Sequence, residues 1–249
     1  MKTTLAASAL SLALAAPALA FDITDMTDAE REAFRAEVRT YLMENPEVIL
    51  EAVNALEARQ ATEQAEADQQ LVSRNMDALI EDGFSWVGGN PDGDVTVVEF
   101  MDYRCGYCRR AKAEVEELVS NDGNIRFILK EFPILGEASL ASSRFATATQ
   151  IVAGDEAYKS VHDALMEFTA EPTEAAFLSI ADTLGLDGQA IVAEMDSDAV
   201  TDRLRQTREL AQKLQINGTP TFVMGDELVR GYVTLDQMRD IVADARENG

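Results

Sequence analysis

The chain has 249 residues and carries 21 Lys+Arg against 45 Asp+Glu, a formal net charge of −24. Such a surface repels phosphate backbones and anionic lipid, which argues against nucleic acid as a partner. With one histidine (His162) and two cysteines, one chain cannot complete a tetrahedral Cys/His zinc site, and a Ser-His-Asp triad has His162 alone to draw on.

The first twenty residues read as a secretory signal peptide. Lys2, the apolar stretch Leu5 to Leu14 and the small-x-small site Ala18-Leu19-Ala20 follow the order of charged, apolar and cleavage regions. The apolar run is shorter than the roughly 20 residues that span a bilayer. Cleavage after Ala20 leaves Phe21 at the new terminus and exports the chain to a compartment where disulfides persist.

Residues 21–82 read as a helical oligomerisation and spacer segment. Thr27 and Glu30 fit a capping box. Phe34, Val38, Tyr41 and Leu42 share one helical stripe, and Asn45-Pro46 marks a stop and restart, with Asn45 placed to cap the next helix. Ile49, Leu50, Val53 and Leu56 continue an apolar face, whereas Glu57 to Gln70 is Ala-, Glu- and Gln-rich and polar all round, the pattern of a solvated spacer. Two short helices cannot bury those stripes alone, so a second copy of the chain is expected against them.

Residues 83–249 read as one α/β domain. Gly88-Gly89-Asn90-Pro91-Asp92-Gly93 is a turn signal. Val95 to Phe100 reads as a buried strand, and Ile125, Phe127 and Leu129 alternate as a second one. Between them, Ala111, Val115 and Leu118 share a helix face. About Gly136 to Asn217 reads as helical. Gly225-Asp226 is a two-residue hairpin turn between Thr221–Met224 and Glu227–Arg230, and Thr234 caps a last helix.

The chemistry-bearing residues are Cys105 and Cys108, three residues apart where the first strand passes into a helix. Cys105 opens that helix, where unpaired amides stabilise a thiolate. Arg104, Arg109, Arg110 and Lys112 surround it in an otherwise acidic chain and favour the anionic sulfur. Cys108 lies one turn on and is expected to be covered, giving an exposed attacker and a shielded resolver. The spacing also suits an inert disulfide, though so small a loop stabilises little, or a two-thiolate Cu(I) site.

The stretch VTVVEFMDYRCGYC (Val95 to Cys108), followed downstream by Gly218-Thr219-Pro220-Thr221-Phe222, resembles the DsbA-like branch of the thioredoxin superfamily. The resemblance implies a thioredoxin-like fold with a DsbA-type helical insertion (about 136–198), preceded here by an N-terminal helical segment. It implies a redox-active Cys105–Cys108 disulfide and no bound cofactor or metal. Gly106, Tyr107, Thr219 and a cis Pro220 take the substrate-binding positions. Glu99, in an apolar strand, matches the family's buried carboxyl that exchanges a proton with the resolving thiol, with Lys130 as its expected partner; Arg104 and Arg109 join Lys130 as expected pKa-tuning residues. His162 receives no role and reads as a surface or packing residue.

Gly-Tyr between the cysteines and threonine before the proline are similar to bacterial disulfide isomerases. The segment YLMENPEVILEAV (Tyr41 to Val53) is similar to ScsC/Com1-like periplasmic proteins. These likenesses imply a periplasmic thiol–disulfide oxidoreductase of the isomerase or reductase kind. Its expected partners are unfolded or misfolded secreted proteins, a membrane redox partner of DsbB or DsbD/ScsB type, and further copies of itself. A DsbA-type oxidase and a non-enzymatic Cu(I) carrier are the alternatives.

Overall fold

A computed structural model describes residues 26–248; the expected signal peptide (1–20) lies outside the described residues. Two compact units are present, one ending at Arg59 and one beginning at Gln60.

The first unit is helical. In α1 (Asp28–Glu44) Thr27 Oγ1 accepts the Glu30 amide, and the Glu30 carboxylate accepts the Thr27 amide at 2.9 Å, so two helix-end donors are satisfied reciprocally. Asn45 serves the preceding helix rather than the next: its side-chain amide donates to the Tyr41 carbonyl at 2.9 Å. Helix α2 (Glu47–Arg74) follows Pro46. No residue of α1 is buried. Tyr41 is 53% exposed and Leu50 is 65% exposed, and Phe34, Val38, Ile49, Val53 and Leu56 are also open.

The second unit is built on a five-stranded sheet, order β1-β3-β2-β4-β5. Its strands are β1 (Trp86–Gly89), β2 (Val95–Met101), β3 (Ile125–Glu131), β4 (Thr221–Met224) and β5 (Glu227–Arg230). β2 and β3 pair in parallel and are joined by α4 (Gly106–Asp122), the crossover that parallel strands require. All other pairings are antiparallel. Five helices separate β3 from β4: α5 (Glu137–Ala153), α6 (Asp155–Glu167), α7 (Glu174–Thr183), α8 (Gly188–Glu194) and α9 (Asp198–Lys213). Thr173, Asp187 and Ser197 cap the last three with side-chain oxygens. Helix α10 (Leu235–Asn248) closes the unit behind Thr234, whose hydroxyl accepts the Gln237 amide.

Alternation along β2 divides the core. Val95, Val97 and Met101 join the cluster under α4, which also takes Val115, Phe127, Leu129 and Phe222. Val98 and Phe100 point to the opposite face and pack with Ile128, Val223, Leu210 and Leu214.

Two features depart from the sequence reading. β1 occupies part of what reads as a turn, because glycine is needed there for close approach. A Cβ at Gly88 would lie 2.1 Å from the Trp86 ring, and one at Gly89 would lie 2.3 Å from the Ile125 carbonyl oxygen. The domain also begins well before residue 83. Val72 and Leu79, the latter in α3 (Met76–Ile80), are fully buried with Val98 and Phe100, and Asp68 forms a salt bridge with Arg230 of β5. The polar spacer therefore gives way to domain structure before residue 70. Leu79→Ala should lower the unfolding free energy by about 2–5 kcal/mol in a denaturant titration, as buried leucine truncations do; an unchanged midpoint would place α3 outside the cooperative unit.

Candidate active site

The turn between β2 and α4 is set by one buried carboxylate. Asp102 accepts the Arg104 amide at 2.8 Å through one oxygen and the Ile134 and Leu135 amides at 2.8 and 3.0 Å through the other. The Cys105 amide donates to the Asp102 carbonyl at 3.1 Å, and Cys105 takes the N-cap position with extended backbone (φ −78°, ψ 116°). Across the site the Thr219–Pro220 bond is cis, and the Cys105 thiol donates to the Thr219 carbonyl at 3.1 Å.

Both cysteines are thiols, and their surroundings differ. Cys105 retains 7% exposure, Cys108 none. The attacker expected to be open is thus reached only through a narrow aperture. The Cys105 pKa is drawn down to about 5, first by the Cys108 thiol, which hydrogen-bonds the anion. The Thr219 side chain and the Cys108 and Tyr107 amides add to this against the opposing effect of burial. Cys108 is pushed far above the ordinary thiol range by the same Cys105 contact, by burial and by the charge of Glu99.

The cations expected to tune the thiolate are engaged elsewhere. Arg104 donates to the Thr169 and Ala170 carbonyls, and Arg109 to the Tyr103 and Phe168 carbonyls at 2.9 and 2.6 Å. Arg110 lies 4.4 Å from the centre of the Tyr232 ring. Lys112 pairs with Glu116 and Asp163. Arg109 keeps a lesser electrostatic link to Cys105, while burial and Arg104 lower its own pKa. Helix-end amides and the second thiol are the leading causes of the low Cys105 pKa, and Arg109 adds a lesser one.

Glu99 lies under α4 with 3% exposure, and its Oε1 has no hydrogen-bond partner. Burial first, and the Cys105 charge second, push its pKa up to about 8. Lys130 is not its partner. β2 and β3 pair Glu99 with Leu129 and Phe100 with Lys130, so Lys130 emerges on the opposite face. There its Nζ donates to the Asp82 carboxylate and the Ala78 carbonyl. It tunes neither Glu99 nor the thiols by contact.

A buried network behind Tyr103 is not legible in the sequence. The Glu131 carboxylate accepts the Tyr103 and Tyr158 hydroxyls at 2.7 and 2.6 Å, and the Tyr103 oxygen lies 3.2 Å from His162 Nδ1. Burial raises Glu131 to about 7 and lowers His162 to about 3. His162 is therefore an interior neutral imidazole, the packing role of the two expected, and not a surface residue. A tyrosine next to the cysteine motif and a glutamate ending an apolar strand were the available signals. Tyr107, 61% exposed, stacks on Tyr232 at 6.2 Å beside the aperture.

Residues 96–243 match the family model of the DSBA-like thioredoxin domain. The chain belongs to this family. Residues 30–63 match the copper resistance protein ScsC N-terminal domain, so the resemblance read from the sequence holds at both ends. A thioredoxin-like oxidoreductase from Silicibacter pomeroyi is 46% identical, over 69% of this chain and 97% of that one, with a TM-score of 0.64. Proteus mirabilis ScsC in a transitional conformation is 29% identical, over 90% of this chain and 100% of that one, also at TM-score 0.64. The chain spans about a quarter of the length of the first curated relatives it matches. Among them is the Na(+)/H(+) antiporter NhaA 1 of Salinispora arenicola, 28% identical over 160 residues, which are 64% of this chain and 24% of that protein.

Following the thiolate ultraviolet absorbance of the reduced protein should give a Cys105 midpoint near pH 5. Arg104→Gln and Arg110→Gln should leave it in place, and Thr219→Val should raise it. A midpoint that follows the arginines instead would restore them as the source of the low pKa. Because this pKa is lowered on folding, its stabilisation of the reduced fold is complete above the unfolded value near 9 and is lost as pH falls through about 5.

Proposed function

We propose that the chain is a periplasmic thiol–disulfide interchange protein that works through mixed disulfides at Cys105, as an isomerase or reductase in preference to an oxidase. The observation that carries this is a thiol of low pKa at a helix N-terminus, facing the Thr219–Pro220 backbone and hydrogen-bonded to a sealed second thiol.

The Cys105 thiolate attacks one sulfur of a substrate disulfide. An S–S bond forms between Cys105 and that sulfur, and the other substrate sulfur leaves as a thiolate. In isomerisation a different substrate thiolate attacks the mixed disulfide on the substrate sulfur; a new substrate disulfide forms and Cys105 leaves as the thiolate, with no net redox change. When that fails, Cys108 attacks Cys105 Sγ. Glu99 takes the Cys108 proton, the substrate leaves reduced, and the Cys105–Cys108 disulfide remains for a membrane partner of DsbD/ScsB type to reduce. Glu99, with a pKa of about 8, is ionised in a fraction of molecules at neutral pH and suits this proton transfer. Extended substrate lies along Thr219 and Pro220, beside Gly106 and the exposed Tyr107.

One further feature supports the isomerase reading; the low Cys105 pKa is shared with oxidases, because a stabilised thiolate also makes the disulfide a better oxidant. The open apolar stripe of α1 and α2 suits contact with further copies, which brings several Cys105 sites to one misfolded substrate by effective concentration.

Cys105→Ser should abolish both reduction of insulin and reactivation of scrambled ribonuclease; retained turnover would defeat the assignment. Cys108→Ser should keep part of the reactivation and accumulate mixed disulfides. An enzyme that oxidises reduced ribonuclease rapidly yet fails on the scrambled form is an oxidase instead. Leu50→Asp together with Val53→Asp should lower the mass found by sedimentation and leave insulin reduction intact, whereas an unchanged mass would show that this stripe joins no copies.

A further inference from the structure

Beneath α4, on the same face as Glu99, lies a cavity of about 450 Å³, within the size range of small-molecule sites. Trp86, Val115, Val119, Phe127, Leu129 and Met166 give it apolar walls, and exposed Gly89, Ser120 and Gly123 stand at its mouth. Two ionisable groups look in from the floor, Glu99 and His162, both almost fully buried. At the rim Lys112 and Lys159 each bond both Glu116 and Asp163, at 2.7–3.0 Å, so two cations and two anions cancel. Inside, a carboxyl oxygen stands without a partner and no cation answers it.

We propose that this cavity binds a small apolar primary amine, its body against Trp86, Phe127 and Met166 and its ammonium on Glu99 Oε1. The choice among ligand chemistries follows from the floor. A carboxylate ligand would carry a negative charge into an apolar site where no cation answers it. An alcohol satisfies Oε1 with a neutral hydrogen bond, but an ammonium does so with a charge-assisted one in a low-dielectric site, the stronger contact. The aromatic walls favour a cation as well.

The ionisable groups around Glu99 come from two helices: from α4 they are Cys105, Cys108 and, at the rim, Lys112 and Glu116; from α6 they are Tyr158, His162 and Lys159. Glu99 is mostly protonated at neutral pH, so an incoming ammonium displaces a proton.

Calorimetric titration of the full chain with tryptamine, its neutral analogue tryptophol and the anion indole-3-propionate tests this site. At pH 7, tryptamine should bind at least about fivefold more tightly than tryptophol, the margin of a charge-assisted over a neutral hydrogen bond. It should also release protons, seen as a heat that changes with the buffer's ionisation enthalpy; indole-3-propionate should not bind. Glu99→Gln should erase the preference, and Val119→Trp, at a half-buried wall position, should weaken tryptamine while Glu99 stays in place. Absence of tryptamine binding, tryptophol binding as tightly, or a preference that survives Glu99→Gln overturns the amine site. A chain inactive in disulfide exchange that keeps the amine preference overturns the reading of Cys105 and not the cavity.

Discussion

The hydrogen bond between two sulfurs organises this site. The Cys108 thiol stabilises the Cys105 anion, and the same contact keeps Cys108 from ionising. Two chemically identical side chains become a nucleophile and a reserve because one occupies the N-cap of α4 and the other lies a turn inside it, with no exposure. The asymmetry depends on the turn that precedes the helix, where Asp102 collects three backbone amides from two separate segments. A buried carboxylate so fully bonded is a structural clamp.

Period-two alternation in β2 then decides what lies beneath the sulfurs. The strand must present a side chain under α4 at position 99, and that side chain is a carboxyl. Its desolvation acts against Cys105 in the pH dependence of the fold. The Cys105 contribution grows as pH rises from about 5 toward 9. Glu99 and Glu131, raised to about 8 and about 7, favour the fold below the ordinary carboxyl range near 4.5, a contribution lost as pH rises through those values. In the reduced protein the two trends oppose each other across neutrality. In the disulfide form the thiolate is gone and this opposition is lost, so the two redox states differ in their pH profiles.

Legibility in the sequence followed the range of the interactions involved. The capping box at Thr27, the buried strand β2, the alternating strand β3, the hairpin at Gly225-Asp226 and the proline at position 220 rest on neighbours in the chain, and the structure has each of them. Lys130 failed as a partner for Glu99 by one residue of register: strand adjacency was readable, but not which cross-strand pair shares a face. β1 was hidden because half of it is glycine, selected for the Trp86 ring and the Ile125 backbone rather than for strand propensity. Val72 and Leu79 sit near a polar stretch and reveal their burial only when the sheet face that covers them exists. His162 was half legible: one histidine at helical spacing reads as packing, but its contact to Tyr103 spans fifty-nine residues.

The arginines are instructive because they lie near Cys105, Arg109 keeps an electrostatic link to it, and yet their hydrogen bonds go elsewhere. Arg104 and Arg109 spend their donors on carbonyls from Phe168 to Ala170, just beyond the end of α6. Carbonyl oxygens at a helix C-terminus lack intrahelical partners and are natural acceptors for a guanidinium. The two side chains therefore tie the helical insertion to the cysteine turn, and the Glu131 network makes the same connection from below through Tyr103, Tyr158 and His162. Held from both sides, the turn keeps Cys105 against Thr219 without needing nearby charge. The thiolate can then depend mainly on amides and a short thiol side chain held close to the backbone, and less on long side chains that would have to be ordered for the purpose.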